Sequence, residues 1–171
     1  WVIMMDADEI LNKDNINEIK NMISLGLYDV LMMKRRNYFL GKWIKTCGWY
    51  PTFVPRIFKK GSVDFGDNIH NDGLVLSDRV YYLKNDVDHF SYDSIDDWID
   101  KFKRYTSRHA DEYYRNGIKL NTKNFIREVI LRPVYFFLLD YIRFKGFKDG
   151  WRGFFISLSS SLTVMFSYFK L

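Results

Sequence analysis

One cysteine, Cys47, is all this sequence has, so no disulfide can close within the chain. The composition fits a reducing compartment, where folds are held by packing and polar contacts. No basic start followed by an apolar run and small residues is present, so the pattern of a signal peptide is missing. No internal repeat and no low-complexity tract occurs, which excludes solenoids and arrays. Charge is absent from residues 153–169. That run sits at the lower edge of the roughly 17–25 residues that span a bilayer. Its serines and threonine favour an interfacial or bundle-packed helix over a spanning one.

Aromatic residues, by contrast, are abundant at 19% of the chain. They suit carbohydrate contact, a membrane interface or a packed core, the last being the commonest use. The net charge of +5 is unevenly placed. Residues 1–117 carry 17 Lys/Arg and 18 Asp/Glu, whereas residues 118–171 carry nine and three, a net of +6. A basic, aromatic and apolar tail matches an anionic membrane surface. Its charges lie among long apolar stretches rather than in a polar Lys/Arg-dense patch, which disfavours nucleic acid as a partner.

The chain opens on Trp1-Val2-Ile3-Met4-Met5, an apolar run that reads as a buried strand, so a longer protein cut at this point is expected. Helical spacing covers 14–25, with Asp14 or Asn15 as cap and Gly26 as stop. Strands are expected over 29–38, 52–59 and 79–83, with an irregular Gly/Trp/Lys segment over 41–51 and a Gly/Asp/Asn-rich loop over 62–78. From Ser94 the period becomes helical, Ser94 and Asp97 forming a near capping box. A second helix near Pro133 runs to about Phe144. An α/β body over 1–92 and a helical region over 93–171 follow from this pattern.

The acids Asp6, Asp8 and Glu9 directly follow the first strand. In open α/β sheets ligands bind beyond the carboxyl ends of strands. Two carboxylates at i and i+2 in an extended turn can reach one cation, and hard oxygen ligands suit Mg²⁺ or Mn²⁺ bridging to a phosphate. Solvated acids at a strand end are the plain alternative. His70 lies between Asp67 and Asp72, and His89 follows Asp86 and Asp88; a histidine in such company completes a metal site or orients phosphate, or is simply structural. His109 sits on a helical face and reads as structural. Arg35, Arg36, Lys42, Lys45 and Arg56 are candidates for a sugar diphosphate or an anionic acceptor, or ordinary surface charge. Trp43, Trp49 and Tyr50 suit stacking on a sugar ring, or loop packing.

Taken in order, WVIMMDADE (1–9), RRNYFLGKW (35–43), GWYP (48–51), PRIFKK (55–60), His70, DHFSY (88–92), Arg132-Pro133, YIRFKGF (141–147) and DGWRGF (149–154) resemble family 2 glycosyltransferases. The similarity is greatest to the branch that adds sugars to the lipopolysaccharide core, the WaaE-like group, and covers nearly the whole chain. The resemblance implies the C-terminal portion of a GT-A fold with a helical, partly membrane-facing tail. The nucleotide-binding half would precede residue 1, residues 1–92 would form the acceptor-side and metal-binding part, and this piece alone would be inactive. It implies Asp8 and His89 as metal ligands, and Asp6, Arg56 and His70 as contacts to nucleotide, diphosphate or metal. The partners implied are a nucleotide-sugar donor and a glycan or lipid-linked acceptor, at the cytoplasmic face of a bacterial inner membrane. In the family a glutamate, the candidate base, commonly follows the histidine at position 70; here Asn71 stands there, and an amide cannot take a proton. Asp72, or else Asp67, is then the expected base for a single inverting displacement, the alternatives being a base elsewhere or an impaired activity.

Two other readings compete. Haloacid-dehalogenase-like phosphatases also place Asp-x-Asp after an apolar strand, but Ile10 occupies the position where they carry Thr or Val, and Asp96-Asp97 falls at a helix start. A membrane-associated interaction module without catalysis would leave the acids incidental.

Overall fold

The computed structural model describes residues 1–64 and 74–171. Two compact units emerge, each built from two stretches of chain: Trp1–Tyr38 with Tyr50–Ser91, and Phe39–Trp49 with Tyr92–Leu171. Residues 39–49 thus belong with the helices, although they lie well before the change of period at Ser94.

The first unit is mixed α/β. Among the described residues its main sheet follows the order β1 (Val2–Ile3), β5 (Thr52–Phe58), β3 (Val30–Phe39), β8 (Val80–Tyr92), β2 (Glu9–Ile10). The pairs β1–β5, β3–β5 and β2–β8 are antiparallel. Helix α1 (Lys13–Leu25) starts one residue earlier than its spacing suggests. Asn12 is the cap, and it exchanges hydrogen bonds with Asn15 in a reciprocal capping box. Gly26, at φ 68°, ends the helix in the left-handed conformation that a side chain resists. The apolar side of α1 packs Ile19, Met22 and Ile23 against Leu31, Met33, Val54, Ile57, Leu83 and Val87 of the sheet. Each of the fully buried side chains among them contributes about 1.5–3 kcal/mol, and the partly buried Met22 and Ile23 less.

Strand β8 corrects the sequence reading. Instead of ending at Leu83, it continues through the polar stretch Lys84-Asn85-Asp86 to Tyr92. The polar groups are matched locally. Glu18 of α1 accepts from the backbone N–H of Lys84 and Asn85, and Asp86 receives Lys34 at 3.1 Å and the Tyr50 hydroxyl. Charges that disguise a strand in sequence are here satisfied across it. Residues 62–78 also contain short strands, β6 (Val63–Asp64) and β7 (Leu74–Val75), paired with each other.

In the second unit Phe39 leads through Leu40 and Gly41, both at positive φ, into β4 (Lys42–Trp43). Helix α2 (Ile95–Arg115) begins at Ser94, whose hydroxyl accepts from the Asp97 N–H at 3.0 Å. A helical stretch follows: α3 (Thr122–Phe125), a π segment (Ile126–Leu131), α4 (Arg132–Leu138) and a second π segment (Leu139–Arg143). Pro133 lies in the first turn of α4, where a missing N–H costs least. Helix α5 (Trp151–Phe169) packs against α2 and α4. It contains the charge-free run, and several of its hydroxyls turn back onto its own carbonyls, Ser157 onto Gly153 O and Ser159 onto Phe155 O, while Ser161 donates to the Pro133 carbonyl. Among the described residues no helix is long and apolar enough to cross a membrane.

Candidate metal centre

The turn after β1 is closed on itself. The Glu9 N–H donates to the Asp6 carbonyl, and the Asp6 N–H donates to Glu9 Oε2, both at 3.1 Å. The Glu9 side chain is fully buried and meets Arg35 at 3.3 Å and Arg56 at 3.4 Å. Burial pushes its carboxyl above the ordinary glutamate value, against the lowering pull of the Asp6 N–H, Arg56 and Arg35. Arg56 is buried as well, and its Nη2 also pairs with Asp6. The acidic turn is therefore anchored from beneath by two guanidinium groups.

Sheet register brings in the third member. Glu9 of β2 stands opposite His89 of β8, and the Phe90 N–H donates to the Asp8 carbonyl at 2.9 Å. His89 Nε2 lies 3.4 Å from Asp8 Oδ1. One ligand atom each from Asp6, Asp8 and His89 falls within 4.8 Å of the others. The opposite ring nitrogen is held: Nδ1 lies 2.7 Å from Asn37 Oδ1 and 3.1 Å from Ser91 Oγ. The Asn37 amide nitrogen donates to Thr52 Oγ1 at 2.9 Å, which turns its oxygen toward the ring. An Nδ1–H donated to that oxygen leaves the Nε2 lone pair facing the carboxylates, the arrangement found when histidine binds a metal. Two carboxylates and one imidazole suit a divalent cation with open positions for further oxygens.

The structure thus brings together Asp6, Asp8, His89 and Arg56. Asp67, His70 and Asp72, the candidates for base and diphosphate contact, lie outside the described residues. Arg56 faces Asp6 and Glu9, so it positions the acidic turn. Most other basic candidates are also in ion pairs: Arg35 with Glu9, Arg36 with Asp88 at 2.5 Å, Lys42 with Asp149 at 3.3 Å. Lys45 lies over the Trp43 ring, Trp49 packs around Phe39 and Tyr92, and Tyr50 donates to Asp86. His109 is exposed beside Glu112. Asn37 and Ser91 have no role in the sequence reading. An amide within the apolar pattern of β3 was the available signal for the former. No family model matches the chain, and no solved structure matches it.

Proposed function

We propose that this chain is the metal-binding and acceptor-side part of a family 2, GT-A-type glycosyltransferase. It would move a sugar from a nucleotide-sugar donor to a hydroxyl of a cell-surface glycan or lipopolysaccharide core acceptor, at the cytoplasmic face of a bacterial inner membrane. Asp8 and His89 ligate Mg²⁺ or Mn²⁺, with Asp6 beside them. The observation that carries the reading is the meeting of these three side chains in the turn that follows β1, a strand of only Val2–Ile3 that is exposed rather than buried as the sequence suggests, with His89 held at Nδ1 by Asn37. The ordered motifs that resemble the family give it a reaction class. A divalent cation bound there supplies positive charge to a departing nucleoside diphosphate. The protein's own part is to hold the carboxylates fixed: Arg56 and Glu9 lock the turn, and Asn37 and Ser91 lock the ring. Asp72, or else Asp67, takes the proton of the acceptor hydroxyl in one inverting displacement.

Electron paramagnetic resonance of free Mn²⁺ titrated with the folded chain tests the centre without requiring turnover. The wild-type chain should deplete the free-ion signal at one equivalent. Asp8→Asn should weaken binding by at least about tenfold, as loss of one ligand does more than loss of a supporting contact. A folded wild-type chain that leaves the free-ion signal untouched sinks the proposal.

A further inference from the structure

The charge of residues 118–171 is sorted by depth. Residues 118–171 contain three acids, Glu128, Asp140 and Asp149, and all three are buried. Glu128 is held by Arg127, Arg132 and the Tyr113 hydroxyl, and Asp149 by Lys42, Thr46 and the Lys45 N–H. Lys119, Lys123, Arg143, Lys145 and Lys148 are exposed. What this segment shows to solvent is therefore basic.

Between those cations runs an apolar stripe. Ile126, Ile130, Val134, Leu138 and Ile142 recur at every fourth position and are 45–59% exposed. Over residues 126–142 the stripe is about 24 Å long at the helical rise. In a pure α-helix of 3.6 residues per turn, an every-fourth-residue row winds around the axis. Here the π segments Ile126–Leu131 and Leu139–Arg143 bracket α4. Their wider turns offset that drift, so the row stays on one side of the helix. The opposite side carries the buried Glu128, Pro133 and Asp140. Leu131 and Tyr135 widen the exposed face, at 60% and 59%. Phe147 and Phe154, each about half exposed, touch Tyr141 at ring distances of 6.3 and 5.8 Å and extend it at the C-terminal end. Exposed cations stand at both ends, Lys119 and Lys123 before the stripe and Arg143, Lys145 and Lys148 after it.

We infer that the face formed by residues 126–142 lies on an anionic lipid surface, helix axis in the membrane plane, with the flanking lysines and arginines reaching phosphate headgroups. A wide exposed apolar row is what an interfacial helix buries in the acyl boundary. Cations at its two ends and no exposed acid across residues 118–171 select a negatively charged surface over a neutral one. The charge-free run in α5, by contrast, turns Ile156, Ser157, Ser161 and Tyr168 into the protein. The lipid-binding element is thus the helix before it. This inference is independent of the metal centre.

Flotation of the full chain with phosphatidylcholine vesicles, with and without phosphatidylglycerol, tests it. Binding should require the anionic lipid and fall with salt. Lys145→Gln with Lys148→Gln should weaken it roughly thirtyfold, at about 1 kcal/mol per cation. Ile130→Asp with Leu138→Asp should abolish it while circular dichroism stays unchanged, because both side chains are exposed. Asp8→Asn should float like the wild type, so failure of the metal reading and failure of this one are separable. The inference is overturned if the folded wild-type chain does not float with anionic vesicles, or if the Ile130/Leu138 variant floats as well as wild type. It is equally overturned if the wild type is a dimer by light scattering, the Ile130/Leu138 variant a monomer, and vesicles are ignored, since a second copy then covers the face.

Discussion

Asp6 and Asp8 are visible in the sequence because their chemistry is contiguous: two acids on one turn, directly after an apolar strand. His89 is visible as a histidine among acids. Asn37 is not, because its use depends on strand placement: β3 lies beside β8 in the sheet, and more than fifty residues separate the two side chains. Yet Asn37 decides which nitrogen of His89 faces the carboxylates. Asn37→Ala should lower Mn²⁺ affinity about 10–100-fold, the usual effect of removing a group that orients a metal-binding histidine. The fold should survive, since Ser91 still reaches Nδ1 and the Glu9–Arg56 contacts beneath the turn are untouched. Unchanged Mn²⁺ affinity in this variant, by the same resonance titration, would show that Asn37 has no part in orienting the ring.

At the scale of elements, helix starts were legible where a capping side chain announces them, as Ser94 does for α2. Strand β8 was not, because its middle is polar and its partners are supplied by α1, β3 and Tyr50 from elsewhere in the chain. Helix α5 shows the same limit from the other side. Its sequence leaves interfacial and bundle-packed placements open, and two glycines set the close packing at its start. A Cβ on Gly153 would stand 1.9 Å from the Gly146 carbonyl oxygen, a distance only backbone movement can relieve. Around that contact lie Cys47, whose thiol reaches Gly153 O at 3.5 Å, and the Asp149 carboxylate that binds the Lys45 and Thr46 amides. Gly153→Ala should therefore destabilise the chain by about 1–3 kcal/mol, as overpacking of a close contact does. Urea unfolding followed by tryptophan fluorescence measures it, and a midpoint equal to wild type would show that the approach relaxes freely.

On the whole-molecule scale the two units are interleaved along the chain rather than consecutive. The change from strand-like to helical period near residue 93 is real in the sequence, but it does not mark where one core ends. Residues 39–49 give the second unit Phe39, Ile44 and Cys47, which pack with Ile156, Trp98 and Phe155. In sequence these few side chains sit among Gly, Lys and Trp at no fixed period, so nothing assigns them to a helical core. Two further ties come from the same segment: Asp149 binds the Lys45 and Thr46 backbone, and Arg152 donates to the Leu40 carbonyl at 3.1 Å. A fragment of residues 93–171 would leave Asp149 buried without its donors, and Ile156 and Trp98 facing the space that Phe39 fills. Burial of two large apolar side chains and a thiol is worth several kcal/mol, comparable to the stability of a domain this small. The fragment should keep helical circular dichroism, because α2 and α5 are long and α2 is capped by its own Ser94. It should lose sharp side-chain dispersion in nuclear magnetic resonance and bind a hydrophobic dye, as a compact state without fixed packing does. A fragment of residues 39–171 should recover part of the dispersion, because it restores the missing side chains. Well-dispersed spectra from 93–171 alone would mean that the helices form a self-sufficient core and that residues 39–49 merely lie against it.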